Sequence, residues 1–123
     1  MVNAIVPGSY VPPHKHENPD KIEVFTILVG RVACLKFTPE GIIDKIYPLE
    51  EKGSIRIVDI RPRIYHSFIA LEPSALLEII QGPYHQETHK YWPQWAPKED
   101  TPEASAYLNK LELEVNQYLK SHH

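Results

Sequence analysis

Three histidines and one glutamate carry the sharpest chemical signal in this chain: His14-Lys15-His16, then Glu23, then His66. Successive side chains on a β-strand alternate between faces, so His14 and His16 leave the same face. Six residues separate His16 from Glu23, enough for a short turn and entry into the next strand. Three neutral imidazoles and one carboxylate, if they converge, form a cage for a divalent transition metal. Such nitrogen and oxygen donors suit Fe(II), Mn(II), Ni(II), Co(II) or Zn(II). Four protein ligands would leave an octahedral ion two open positions for water, dioxygen or a chelating substrate. Each residue also has a plainer reading. His-x-His pairs are common on surfaces, Glu23 could face outward or pair with Lys21 or Arg31, and His66 could be a satisfied core histidine. An unpaired carboxylate facing a core is costly. The four together, in this order, favour one divalent transition metal on His14, His16, Glu23 and His66.

The elements that must position them read as short strands. These are Val2 to Val6, Ser9 to His16, Ile22 to Val29, Val32 to Phe37, Ile42 to Leu49, Ser54 to Ile60, Tyr65 to Leu71 and Ala75 to Gln81. Adjacent prolines make Ser9 to His16 an edge or bulged strand. On the third strand Glu23, Phe25, Ile27 and Val29 share one face. Thr38-Pro39-Glu40-Gly41 fits a type I turn. About eight strands at intervals of roughly ten residues argue a β-sandwich or barrel of jelly-roll type. After Gly82-Pro83 the pattern changes. Tyr84 to Asp100 has no period and is expected to be an ordered arm over the barrel. Thr101-Pro102-Glu103 opens a helix with N-cap, N1 proline and early acid. Tyr107, Leu108, Leu111, Val115 and Tyr118 or Leu119 form its apolar stripe. The expected division is a barrel over 1–83 and an arm and helix over 84–123, packed as one domain.

The 123 residues fit one domain with a real core, and 42% hydrophobic with 24% charged residues is ordinary for a globular protein. The net charge of −3 gives no basic stripe, so nucleic acid is not an expected partner. No apolar run reaches membrane-spanning length and no secretory leader opens the chain, so no membrane partner is expected; with Cys34 alone no internal disulfide is possible, and the compartment read is the cytoplasm. Cys34 is the single cysteine and sits in an apolar run, which suits a small buried hydrophobe.

The ligand pattern resembles the cupin superfamily. The first cupin motif, Gly-x5-His-x-His, spacer, Glu-x6-Gly, is matched by Gly8, His14, His16, Glu23 and Gly30, with a spacer longer than the commonest form. The second motif, Pro-x-Gly-x-x-His, is matched at His66, but Arg61 and Arg63 stand at its Pro and Gly positions, where the glycine often serves a left-handed turn. The chain is more closely similar to the WbuC-type cupin-fold metalloproteins. The long spacer carries that likeness, with Ile69-Ala70-Leu71-Glu72-Pro73, Gln81-Gly82-Pro83-Tyr84 and Lys90-Tyr91-Trp92-Pro93-Gln94-Trp95-Ala96-Pro97. It extends from about Val2 to Leu108. The resemblance implies a jelly-roll cupin with a divalent metal on the four named residues, and no particular reaction. The family is linked by neighbourhood to bacterial surface polysaccharide synthesis. Its members usually carry an N-terminal extension, so this chain is expected to be a natural short form or to start at an internal methionine. Cupins commonly dimerise, and a homodimer is expected by analogy.

Arg61 and Arg63, just before His66, could hold an anionic substrate; solvated loop arginines are the bland alternative. Tyr10 and Tyr65 could pack near the metal or simply in the core or rim. Trp92 and Trp95 are read as packing of the arm, and His85 and His89 as having no metal role, since Pro83 and Pro93 oppose a helix. The terminal His122 and His123 receive no role. No phosphate loop or nucleophile context is present. The expected function is a metal-dependent enzyme on a small organic molecule, a sugar derivative or carboxylic acid, by dioxygenation, isomerisation or lyase chemistry, with no catalytic residue assigned. The alternatives are a non-catalytic metal and ligand-binding module, a sensor or carrier, or a jelly roll with an idle site.

Overall fold

The computed structural model describes residues 1–82 and 90–122. Pro83, the arm residues 84–89 with His85 and His89, and His123 lie outside the described residues. The described residues form β1 (Val2–Ile5), β2 (Lys15–His16), β3 (Glu23–Val29), β4 (Arg31–Phe37), β5 (Ile43–Glu50), β6 (Ile57–Ile60), β7 (Tyr65–Ala70), β8 (Ser74–Ile80), β9 (Lys90–Tyr91) and α1 (Pro102–Ser121). An antiparallel sheet runs β1-β8-β3-β6, a second runs β5-β4-β7, and β2 pairs with β9 in a short ribbon. The strands make the mainly-β jelly roll that their spacing predicts, although hydrogen bonding does not close them into one continuous barrel.

Alternation puts one face of each large sheet into a shared core, where Phe25, Ile27, Val32, Leu49, Phe68 and Leu76 pack together. β4 is buried on both faces. Val32 and Cys34 join that core, while Ala33, Leu35 and Phe37 pack against Leu108, Leu111 and Val115 of α1. An uninterrupted apolar run is what a doubly covered strand requires. Cys34 has no exposed surface, and burial pushes its thiol up to about 12.

The helix starts where the sequence predicts, with Thr101 extended before Pro102. Its hydroxyl, however, donates to the Lys98 carbonyl at 2.7 Å and makes no helix cap. Gly30 takes φ +89° between β3 and β4, and a Cβ there would lie 2.6 Å from the Pro73 carbonyl oxygen. This turn needs glycine for both conformation and space.

Three expectations change. Ser9 to His16 is not a full strand; only Lys15–His16 forms one, with His14 in an isolated bridge to His66, because Pro12 and Pro13 have no N–H to donate. Ser54 to Ile60 shortens to Ile57–Ile60. Val29 is 52% exposed rather than facing the core with Glu23, because the β3–β8 register shifts between Ile27 and Val29. The arm also supplies a strand that its lack of period hid: Lys90 and Tyr91 pair with His16 and Lys15. No described helix is long and apolar enough to cross a membrane.

Candidate metal centre

Sheet register brings the four residues together. Glu23 shares the core face of β3 with Phe25 and Ile27, all buried. On β7, His66 shares the core face with Phe68 and Ala70, opposite Lys36, Cys34 and Val32 of β4. The His14 N–H donates to the His66 carbonyl at 3.2 Å and the His66 N–H to the His14 carbonyl at 2.9 Å, a reciprocal bridge that holds these two residues side by side. The Arg63 N–H donates to the His16 carbonyl at 2.9 Å, tying the loop before β7 to β2. Arg63 takes φ +68°, the left-handed turn for which the cupin pattern uses glycine. The loop shape persists although the residue differs.

His14, His16, Glu23 and His66 each present one ligand atom, and these atoms lie within 4.8 Å of one another. Glu23 Oε1 stands 3.0 Å from His16 Nε2 and 3.1 Å from His66 Nε2. The centre is buried on three of its residues: relative exposure is 0% for His66, 1% for Glu23 and 5% for His16, with His14 half-buried. His66 Nδ1 lies 3.0 Å from the Ile64 carbonyl and His14 Nδ1 lies 3.1 Å from the Pro12 carbonyl. A carbonyl only accepts, so each Nδ1 carries the hydrogen, and in the neutral ring Nε2 keeps its lone pair. His16 Nε2, Glu23 Oε1 and His66 Nε2 are buried without a hydrogen-bond partner. Buried polar atoms are normally satisfied, so orphaned donors gathered at one point fit a cation. With bonds of about 2.1 Å, neighbouring donors on one ion stand about 3–3.5 Å apart, and the 3.0 and 3.1 Å separations fall in that range. The residues could therefore hold a divalent metal.

Burial alone would raise the Glu23 carboxyl, but the neighbouring His16 and His66 imidazoles and the Glu78 carboxyl outweigh it and hold Glu23 well below the usual carboxylate range. Burial first, and His66 second, pull His14 down to about 3, so its ring stays neutral at ordinary pH. An anionic carboxylate and a neutral imidazole are the forms a metal requires.

A cavity of about 300 Å³ runs from His14 and Glu23 between the sheets. Ile5, Val11, Phe25, Phe68 and Leu76 give it an apolar body, and Asn3, Ser9, Glu78 and Lys90 give it polar groups. It reaches the surface at Ala4 and Lys90, both exposed. Tyr10, Arg61, Arg63 and Tyr65 are not among the described residues that line it. Tyr10 donates to the Pro97 carbonyl at 2.6 Å and packs edge-on to Tyr107. Tyr65 leaves the opposite face of β7 from His66 and packs edge-on to Trp95, with Lys15 Nζ 4.9 Å from its ring centre. Arg61 is exposed, and Arg63 pairs with Asp20 at 3.2 Å. Trp95 packs on Phe37 and donates to the Pro39 carbonyl at 2.9 Å, whereas Trp92 is 56% exposed. Glu78 and Lys90 were missed from sequence. Glu78 left a signal, a lone acid inside the apolar run Leu76-Leu77-Glu78-Ile79-Ile80, whereas Lys90 left none.

A family model described as a domain of unknown function, DUF6016, matches residues 1–49. No curated protein matches the sequence. Among solved structures, the chain is similar to dTDP-4-dehydrorhamnose 3,5-epimerase from Sulfolobus tokodaii, with TM-score 0.62, 17% identity, and coverage of 77% of this chain and 57% of that one. It is similar to a dTDP sugar isomerase from Desulfovibrio desulfuricans, with TM-score 0.60, 13% identity, and coverage of 85% and 66%. It is also similar to YcfD, a ribosomal oxygenase from Escherichia coli, with TM-score 0.54, 18% identity, and coverage of 93% and 37%. The chain thus spans less than two thirds of the length of each. At these identities the likeness establishes the fold, a cupin-type jelly roll.

The left-handed backbone at Arg63 yields a test. Arg63→Gly and Arg63→Ala both lose the Asp20 pair, but only glycine relieves the backbone, so Arg63→Gly should be the more stable by about 1 kcal/mol in urea unfolding. Equal stabilities would remove strain from the account of this loop.

Proposed function

We propose that this protein is a divalent-transition-metal cupin of the WbuC type and an enzyme acting on a small organic molecule, a sugar derivative or carboxylic acid. The observation that carries the reading is the buried convergence of His14, His16, Glu23 and His66 at one end of a cavity that opens to solvent. A bound ion would supply Lewis-acid or oxygen-activating chemistry there. The protein's own part is to hold the donors in place, exclude water from the buried side, and admit substrate from the open side. Reaction class stays among dioxygenation, isomerisation and lyase chemistry. The polar wall of Glu78 and Lys90 beside the centre argues for a polar ligand.

Two further properties belong to the same reading. A cytoplasmic location suits the lone buried thiol of Cys34. A homodimer suits the outer face of the β1-β8-β3-β6 sheet, where Val2, Ile57 and Ile79 are 60%, 61% and 58% exposed. The solvated face of an antiparallel sheet is normally polar, and exposed apolar patches mark interfaces.

At a hundredfold excess over Kd, a divalent metal should stabilise the wild type by about 2.7 kcal/mol, a rise of roughly 10 °C in Tm. His14→Ala should lose most of that rise; full retention would remove His14 from the site. Incubation of metal-loaded protein with sugar nucleotides and small acids, followed by mass spectrometry, should find one member converted by wild type and not by His14→Ala. Binding without conversion would favour the carrier. Light scattering should give twice the chain mass, reduced to one by Ile57→Lys with Ile79→Lys; a monomeric wild type would end the dimer reading.

A further inference from the structure

Resting on that metal-site reading, we propose that the cavity takes a short 2-hydroxy carboxylic acid, with Lys90 pairing to its carboxylate and Glu78, held by Asn3, accepting a hydrogen bond from a hydroxyl. The argument begins with register. Directly opposed residues of an antiparallel pair share a face. Lys90 opposes His16 across β2 and β9, so its ammonium leaves the same face as a ligand side chain. Glu78 opposes Phe25 across β8 and β3, which puts it on the core face diagonal to Glu23. Asn3 opposes Leu76, also on that face, and its Nδ2 donates to Glu78 Oε1 at 3.1 Å. All three line the cavity.

An inward acid on a core strand is costly without a partner. Glu78 meets the Glu23 carboxylate and accepts from Asn3 at Oε1, whose second lone pair is left for a ligand hydroxyl. Charge then decides the ligand's sign. A divalent ion with Glu23 leaves one net positive charge, and the Lys90 ammonium lines the same cavity, so the site favours an anion. About 300 Å³ lies at the small end of ligand pockets, which suits a short acid better than a whole nucleotide sugar.

Glycolate, lactate and glycerate are the probes, with glycerol and propionate as controls, measured by calorimetry on metal-loaded wild type, Lys90→Met, Lys90→Arg and Glu78→Gln. Metal content is measured on every sample. At least one hydroxy acid should bind wild type, at least tenfold more weakly to Lys90→Met, with affinity recovered in Lys90→Arg. Glycerol should not bind, and Glu78→Gln should weaken the hydroxy acid but not propionate. Metal-loaded wild type that binds none of the three acids, or binds them equally well after Lys90→Met, overturns this inference and leaves the metal reading standing. Wild type that takes up no metal overturns both.

Discussion

Glu23 Oε1 faces two imidazole nitrogens at 3.0 and 3.1 Å, deep enough that solvent does not screen them. The Ile64 carbonyl takes the Nδ1 hydrogen of a neutral His66, so in that form its Nε2 lone pair faces the carboxylate. No described donor satisfies them. Leaving several acceptors buried and unpaired costs roughly 1–3 kcal/mol for each, so the arrangement calls for a positive charge at the shared point. A divalent cation meets all four donors at once, which a single proton cannot do.

The rest of the molecule serves that convergence. The His14–His66 bridge joins the residue before β2 to β7, and the Arg63 N–H fixes the His16 carbonyl, so all three histidines are set by backbone bonds before any side chain turns. Glu23 comes from the opposite sheet and is held by β6 on one side and β8 on the other. Packing of α1 over the β5-β4-β7 sheet backs the histidine side. The four-stranded sheet, in turn, supplies the acid and much of the cavity wall. A site shared between two sheets is as rigid as the core between them, and cores are close-packed.

Period-2 alternation made the candidate site legible: one intervening residue puts His14 and His16 on a common face, and Glu23 stands out because it replaces a core residue in an apolar strand. The same rule explains Tyr65, which must leave β7 opposite to His66. The doubly buried β4 and the helix stripe of Leu108, Leu111 and Val115 were legible from apolar pattern alone. Lys90 was not, because a two-residue strand has no period of its own and exists only through its pairing with β2. Pro12 and Pro13 shortened β2 by removing donors, an effect that depends on which neighbour the strand meets. The lining role of Glu78 depends on cross-strand register, which one strand cannot reveal.

Metal content measures the central claim most directly. Elemental analysis of untagged protein, purified without added metal and again after incubation with excess Fe(II), Mn(II), Co(II), Ni(II) or Zn(II), should give close to one ion per wild-type chain. Glu23→Ala and His66→Ala, shown to be folded by circular dichroism, should fall to background. Wild type that takes up no ion under either condition, or folded variants that keep their full complement, would contradict the account.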